Sequence, residues 1–477
     1  MSSPAASSET GMDQPIANSA ELAAAGMTDL RALALRVAAA GLEACDVRRA
    51  TEDAVEVTRG GIAIAGKEYP LEPGARLVVL GSGKATLAIA KTLEDILGER
   101  LDGGVVAVRD ISDGDALERV EVLVADHPLP TLRSEAAARR VMDLADELGP
   151  DDLAIAAFTG GSSALTSLPP TGVTQADKRR LHELLLGSGA SIVEVNTVRK
   201  HVSSFKGGRL AARVAPARLV SLVVSDVAGD LLDVTSDPSV QDTTSVSDAL
   251  DVLHSHDLWS ELPESIREHL AGADAHSPRL AGEVQTVMLV NGAGVCDAMA
   301  ADARSAGVGV HIVSTELQGE ASSVGKHLAG LAAECELTGT PLSPPCVLVG
   351  CGGESTVTLA PDGSGGTIGE GGPNQEAAAA AALRLDSGAC VSACFLDTDG
   401  SDGGTEAAGA IIDGLTTGRA RGAGVDLAAA VAEHRSGKAM AALGDQILTG
   451  PTHTNVNDLF VVAVGRSGAG SVPPPIP

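Results

Sequence analysis

Three apolar runs, each opening into small or polar residues, constrain the fold of this chain more than any other feature. Residues 76–80 read RLVVL and open into GSGKAT, residues 152–158 read DLAIAAF and open into TGGSSAL, and residues 219–224 read LVSLVV and deliver Ser225 and Asp226. Short runs that are apolar at nearly every position, rather than at every second one, mark strands buried on both faces. Such strands belong to parallel sheets covered by helices. Aromatic residues make up only 1% of the chain against 44% apolar residues in all. Ala, Val, Leu and Ile must therefore fill the cores, which suits helices laid closely on a parallel sheet. The expected class is α/β, with a Rossmann-like three-layer α/β/α amino-terminal domain and a smaller α/β carboxyl-terminal domain.

At 477 residues the chain is long enough for more than one core. Residues 1–27 are rich in Ser, Ala and Pro without periodicity and read as a disordered tail. The first domain is expected over residues 28–275, ending at AGADAHSP, whose composition is that of a linker. Beyond it VQTVMLVNG, VCDAMAADARSAG and VGVHIVSTE read as a strand, a helix and a strand of one parallel sheet. The second domain is expected over residues 276–465 and a disordered tail over residues 466–477.

Asp plus Glu total 63 against 34 Lys plus Arg, of which 8 are Lys, for a net charge of −29. Salt screens such self-repulsion, so an acidic, lysine-poor surface reads as adaptation to a high-salt cytosol. Nucleic acid is excluded as a partner, because no basic stripe with interleaved aromatics is present. A membrane is excluded too, since no run of 18 apolar residues occurs. Seven cysteines without a CxxC pair point to neither zinc nor a disulfide framework and fit a reducing, cytoplasmic setting.

Against that acidity, Arg199, Lys200, Lys206 and Arg209 fall within one short stretch with His201. A cationic cluster repels itself, so an acidic chain that keeps one has an anion for it, the competing reading being a solvated helix face. Lys84 in GSGKAT adds a charge where Gly81 and Gly83 let backbone N–H groups approach an anion. The turn is not a Walker loop, because Val78 stands where the first glycine is needed and Ala85 follows the lysine. Nor is it a dinucleotide fingerprint, since Thr86 replaces the third glycine. Gly160, Gly161, Ser162 and Ser163 make a second candidate phosphate cradle, with an ordinary turn and N-cap as the alternative. Asp226 ends its strand beside the cationic cluster. In the carboxyl-terminal half, Asp397, Asp399 and Asp402 gather in one loop, where they suit a hard cation or, on a surface this acidic, are solvated turn residues.

The series GSGKA, DHPLP, TGGSSAL, NTVRKHVSSFKGGRLA, SDVAGD, GGESTVTL, GEGGPNQE, DTDGSDG and GPTHTNVNDL resembles the class II glycerate 2-kinases, the family whose carboxyl-terminal half is the MOFRL domain. The resemblance runs over residues 29–465. It implies ATP-dependent phosphorylation of D-glycerate at the 2-hydroxyl, with Mg2+ or another divalent cation, in a cytoplasmic two-domain protein whose active site lies between the domains. It leaves room for a homodimer. On this resemblance Lys84, Lys206 and Asp226 are the catalytic candidates, with Asp226 also the metal ligand. Gly81, Gly83, Gly160, Gly161, Ser162, Ser163, Asn196, Lys200, Gly207, Gly208, Arg209, Glu354, Asn374 and Asp399 are expected to bind substrate or nucleotide. The chain departs from the family at Pro373, where relatives carry arginine within GGxNQE, and a proline cannot donate to a carboxylate or phosphate.

Two rival functions remain: a nicotinamide-dependent hydroxypyruvate reductase, which lacks its GxGxxG here, and a noncatalytic sugar-acid sensor, which would need no metal ligand. The charge itself makes a prediction. The Debye length falls from roughly 30 Å at 0.01 M salt to about 3 Å at 1 M, so the melting temperature should climb as KCl rises to molar concentration. A flat or falling series in scanning fluorimetry would refute the high-salt reading.

Overall fold

The computed structural model describes residues 15–111, 115–225, 237–272, 276–280, 284–353, 355–358, 370–385, 388–452 and 454–466. By its contacts the chain divides into two compact units, neither contiguous in sequence: Asp46–Asn291 with His453–Asn455, and Met1–Cys45 with Gly292–Thr452 and Val456–Pro477.

The first unit opens with a small antiparallel meander of β1 (Val55–Thr58), β2 (Gly61–Ile64) and β3 (Lys67–Pro70). Its main sheet holds β4 (Leu77–Ser82), β5 (Gly103–Val108), β6 (Val120–Val124), β7 (Leu153–Phe158), β8 (Arg218–Val224) and β9 (Val284–Val290). They run in the order β6-β5-β4-β7-β8-β9, and every pair is parallel. This is the Rossmann order, with the reversal of winding between β4 and β7. Val78, Leu80, Ala154, Ala156 and Phe158 face a core shared with helix Leu132–Asp146. The intervening Leu77, Val79, Ile155 and Ala157 are equally buried. Burial of both faces is what the uninterrupted apolar runs anticipated.

The expected boundary at AGADAHSP does not hold. β9 lies beyond it yet pairs in parallel with β8 from Leu219 opposite Val284 onward, because the ladder groups of β8 find their partners there. β9 and the strand after the next helix also belong to different sheets, so the expected single parallel sheet across that stretch is not formed.

The second unit contains β10 (Gly309–Ser314), β11 (Cys346–Gly352), β12 (Val391–Asp397), β13 (Gly409–Asp413), β14 (Gln446–Ile447) and β15 (Asp458–Val464). The order is β10-β11-β15-β12-β13-β14. Only β10 and β11 are parallel, and the other pairs are antiparallel. Helix Pro373–Arg384 carries a run of alanines buried from Ala377 to Ala382. It lies so close to helix Ala321–Thr338 that a Cβ on Gly325 would stand 2.0 Å from the Ala377 carbonyl oxygen. All seven cysteines are free, and all but Cys390 are buried. Among the described residues no helix is long and apolar enough to cross a membrane.

The amino-terminal segment is a further correction. Within the expected tail, helix Ser19–Ala24 forms and Ile16 and Leu22 are buried. The following helix, Thr28–Ala44, belongs to the second unit rather than the first. The reason is Arg31, a fully buried side chain whose Nε lies 2.5 Å from Asp413 Oδ2 and whose Nη1 lies 2.9 Å from Asp445 Oδ1. Nη1 also donates to the Leu22 carbonyl. Burial opposes the charge on Asp413, yet Arg31 and the N–H groups of Met27 and Leu415 hold its carboxyl below the ordinary value. The stability this contributes is present above the unfolded carboxylate pKa and is lost as pH falls through the folded one.

Removing one partner of a buried pair costs about 3–5 kcal/mol, so Arg31→Met should lose about that much in urea unfolding. Arg36, paired with Asp302 at the surface with 43% of its side chain exposed, serves as the control. Arg36→Met should cost under about 1 kcal/mol.

Candidate active site

The reversal of winding between β4 and β7 brings two glycine turns together. A Cβ on Gly81 would stand 2.5 Å from the Ala157 carbonyl oxygen, and one on Gly83, at φ 142°, would stand 2.1 Å from Thr159 Oγ1. Only glycine permits this approach. Across it the Lys84 N–H donates to the Gly160 carbonyl at 2.8 Å, the Ala85 N–H to Thr159 Oγ1 at 3.1 Å and Thr86 Oγ1 to the Ala157 carbonyl at 3.1 Å. Gly161, at φ 86°, brings the second turn against the first: its Cβ position is 3.4 Å from Lys84 Cγ and 3.3 Å from His127 Cδ2. Gly81, Gly83, Lys84, Gly160 and Gly161 thus share one place, as expected from sequence, and His127 joins them. Burial first, then the charges of Lys84 and Arg109, push the His127 imidazole below its ordinary value, favouring the neutral ring.

The second turn does open a helix, as the sequence leads one to expect, but a very short one. Ser162–Leu165 makes a single helical turn, and the N–H groups of Gly83, Lys84 and Ser162 already donate to carbonyls of Ala107, Gly160 and Thr159. A cradle there depends more on side chains than on an exposed row of amides. Ser162 Oγ lies 3.4 Å from Thr166 Oγ1, and Ser163 Oγ accepts from Lys206 Nζ at 2.6 Å. That bond ties the cationic stretch to the glycine turn.

The cationic stretch itself splits into different jobs. Ser191 and Glu194 form a capping box that starts helix Ile192–His201, placing Arg199 and Lys200 in its last turn. Lys200 Nζ pairs with Asp242 Oδ1 at 2.7 Å, both side chains buried. Arg209 Nη1 donates to the carbonyls of Lys200 and Lys206, and its Nη2 to that of His276. Arg209 thus holds the backbone of the stretch together, while Lys200 ties it to Asp242. Gly207 and Gly208 take the left-handed φ of 62° and 77° and donate their N–H groups to the Asp237 carbonyl, so they are turn residues. Asn196 accepts from Arg199 Nη1 at 3.4 Å and orients that guanidinium.

Arg199 and Lys206 instead line a small cavity with Ser163, Ser167, Lys178 and His182. Burial first, then the charges of Arg199 and Arg209, pushes the Lys178 amine down to about 7. Burial, with Arg199 and Lys178, lowers Lys206 well below its ordinary value. Burial lowers Arg199 to about 10, and burial with Arg199 and Lys206 lowers His182 to about 4. Sequence reasoning passed over Lys178 and His182. They stand in the run DKRRLHE, which looks like a solvated helix face, and only their spacing of four residues hinted that they point the same way.

In the second unit Asn374 is committed to structure. Its N–H and Nδ2 donate to Asp402 Oδ1, and Nδ2 also to Asp458 Oδ1 at 2.6 Å. Asp402, which also accepts from the Gln375 N–H at 2.9 Å, caps helix Pro373–Arg384. Burial raises its carboxyl to about 6, and these hydrogen bonds hold it from rising further. Pro373 occupies the first turn of the helix, where a missing N–H costs nothing. The Asp399 N–H donates to Asp397 Oδ1 and its Oδ1 accepts from the Ser401 N–H, the pattern of a turn. Asp226 and Glu354 lie outside the described residues.

Comparison with known proteins places this arrangement. Residues 33–271 match a domain of unknown function, DUF4147, and residues 346–458 match the MOFRL family. The chain is 37% identical over 448 residues to a glycerate 2-kinase from Pyrococcus horikoshii, covering 91% of this chain and 98% of that protein. It is 40% identical over 395 residues to an Agrobacterium vitis protein that carries the provisional name hydroxypyruvate reductase, covering 82% and 100%. A crystal structure of glycerate kinase from Thermotoga maritima superposes with a TM-score of 0.78 at 34% identity, covering 90% of this chain and 97% of that one. With both family regions present in order and the likeness running nearly end to end, this chain belongs to the glycerate kinase family that joins a DUF4147 region to a MOFRL region.

Proposed function

We propose that this chain transfers the terminal phosphoryl group of ATP to the 2-hydroxyl of D-glycerate, giving 2-phosphoglycerate and ADP. The observation that carries this reading is Lys84, held between two interlocked glycine turns at the point where ligands bind in doubly wound sheets. In the transfer the hydroxyl oxygen forms a bond to the terminal phosphorus, the bond from that phosphorus to the oxygen of the departing ADP breaks, and the hydroxyl proton passes to a base. The protein supplies charge and position for such a step. Lys84 faces the phosphoryl oxygens, the hydroxyls of Ser162 and Ser163 with Gly160 and Gly161 border them, and Lys206 reaches the same turn through Ser163. Asp226 is the proposed base or metal ligand.

Magnesium carried on ATP would neutralise phosphate charge when bound. Among the described residues no group of three or more His, Cys, Asp or Glu side chains could hold an ion alone. That fits an ion that takes most of its ligands from phosphate and water and only one or two from carboxylates. A cytoplasmic, high-salt setting belongs to this reading and draws its support from the free cysteines and the acidic composition.

The provisional reductase name among the relatives makes the nicotinamide alternative specific. It is disfavoured by Thr86, whose hydroxyl fills the third-glycine position by bonding the Ala157 carbonyl, and by the lysine beside it in the turn. Purified protein with D-glycerate and ATP should release ADP and form 2-phosphoglycerate, whereas hydroxypyruvate should not consume NADH. NADH oxidation without ADP release would reverse the assignment. Lys84→Ala should lose about a hundredfold in turnover, on the order of 3 kcal/mol, by analogy with the loss of one preorganised donor. Its melting temperature should stay near wild type, and unchanged kinetics would return Lys84 to a purely structural role.

A further inference from the structure

Elsewhere in the chain the deeply buried cations sit against carboxylates: Arg31 on Asp413 and Asp445, Lys200 on Asp242. The cavity beside the second glycine turn is different. Lys178 and His182, one helical turn apart on Gln175–Gly187, Arg199 from the end of Ile192–His201, and Lys206 converge on it, with the hydroxyls of Ser163 and Ser167 completing the polar wall. No carboxylate is among the described residues that line it, and the charge of Asp237 acts on Lys206 from outside that lining. Lys178 Nζ reaches the Leu168 carbonyl at 3.2 Å, and Lys206 Nζ reaches Ser163. His182 Nδ1 is buried with no hydrogen-bond partner among the described residues.

Gathering like charges away from water costs free energy twice, in desolvation and in repulsion. An anion entering the cavity would offset both. The walls of Pro130, Leu181 and Val202 leave a small space, suited to one planar group rather than a polyphosphate chain. An arginine fork with two flanking ammonium groups and two hydroxyls is a donor set made for the two oxygens of a carboxylate. Ser163 belongs to both this cavity and the turn that faces Lys84, so a short acid held here presents its neighbouring hydroxyl toward the phosphoryl site.

We infer that Lys178 and Arg199, with Lys206, Ser163 and Ser167, form the carboxylate subsite for the acid substrate, and that Lys178 is the charge that makes the site select an acid. The identity of the acid rests on the kinase reading above, whereas the subsite is tested by binding alone. Titration calorimetry on the full-length protein would compare D-glycerate, glycerol (which lacks the carboxylate) and ATP. Wild type should bind D-glycerate and not glycerol. In Lys178→Met the Kd for D-glycerate should rise about tenfold to a hundredfold, the loss expected of a hydrogen bond to a charged group, while that for ATP moves by less than about twofold. Lys178→Arg should recover part of the loss.

An unchanged D-glycerate Kd in Lys178→Met overturns the subsite, and so does a variant that loses ATP instead, which would make the cavity a phosphate site. If Lys178→Met fails to fold, Ser167→Ala is read in the same way, with several-fold weaker D-glycerate binding expected and an unchanged Kd counting against the proposal. A wild type that binds D-glycerate through Lys178 but never phosphorylates it refutes the kinase reading alone. A wild type that binds no D-glycerate refutes both.

Discussion

The interlock of two glycine turns at the winding reversal is the constraint on which the candidate site depends. The Lys84 N–H can reach the Gly160 carbonyl only because Gly83 has no Cβ to strike Thr159. Once that contact is made, the Lys84 stem lies against Gly161 and the Lys206 ammonium can seat on Ser163. Placement of the candidate groups here follows from backbone approach between neighbouring parallel strands, and the side chains inherit it. A methyl group at Gly81 or Gly83 would press on the backbone of Ala157 or Thr159 rather than on a flexible chain end alone, which makes these positions more restrictive than those of the charged residues they orient.

Charge adds a second layer. A chain at −29 has no shortage of carboxylates, and its buried cations divide by whether one is supplied. Arg31 and Lys200 have aspartates within contact and act as clamps. Lys178 and Arg199 point into a cavity instead, and burial with mutual repulsion lowers the lysine to about 7 and the arginine to about 10. An unmet electrostatic demand of that kind is an uncommon way to stabilise a fold and a common way to prepare a binding site.

The parts legible in the sequence were those set by local pattern. Uninterrupted apolar runs announced β4, β7 and β8 as strands covered on both faces, and the glycines after them announced turns where an anion could come close. Lys84 stood out because it adds a full charge to a glycine turn between strand and helix, where an ordinary structural connection was the competing reading. What was not legible depended on long-range partners. Lys200 and Arg209 stood out as members of a cationic stretch, and the sequence did not show that Lys200 pairs with Asp242 or that Arg209 donates to the carbonyls of Lys206 and His276. Asn374 looked like a ligand on a glycine-rich excursion, but Asp402 and Asp458, 28 and 84 residues away, use its amide. Lys178 and His182 were hidden for the opposite reason: a run of basic residues on a helix looks solvated until the elements that bury it are known.

The same logic explains why the unit boundaries escaped a linear reading. Composition marks linkers, but a unit is defined by which strands and helices complete each other's hydrogen bonds and charges. β9 follows a linker-like stretch and still closes the ladder of β8. The segment around Arg31 lies at the opposite end of the chain from Asp413 and Asp445 and still supplies the only cation that meets both among the described residues. Closing such a loop costs entropy that grows only logarithmically with its length, so about three hundred and eighty intervening residues are a modest obstacle to equilibrium stability. They are a larger obstacle to folding rate, because contacts of high sequence separation form late. The second unit therefore cannot complete its charge pairing until both ends of the chain are present, and its amino-terminal helices are structural members of the domain that carries the MOFRL region.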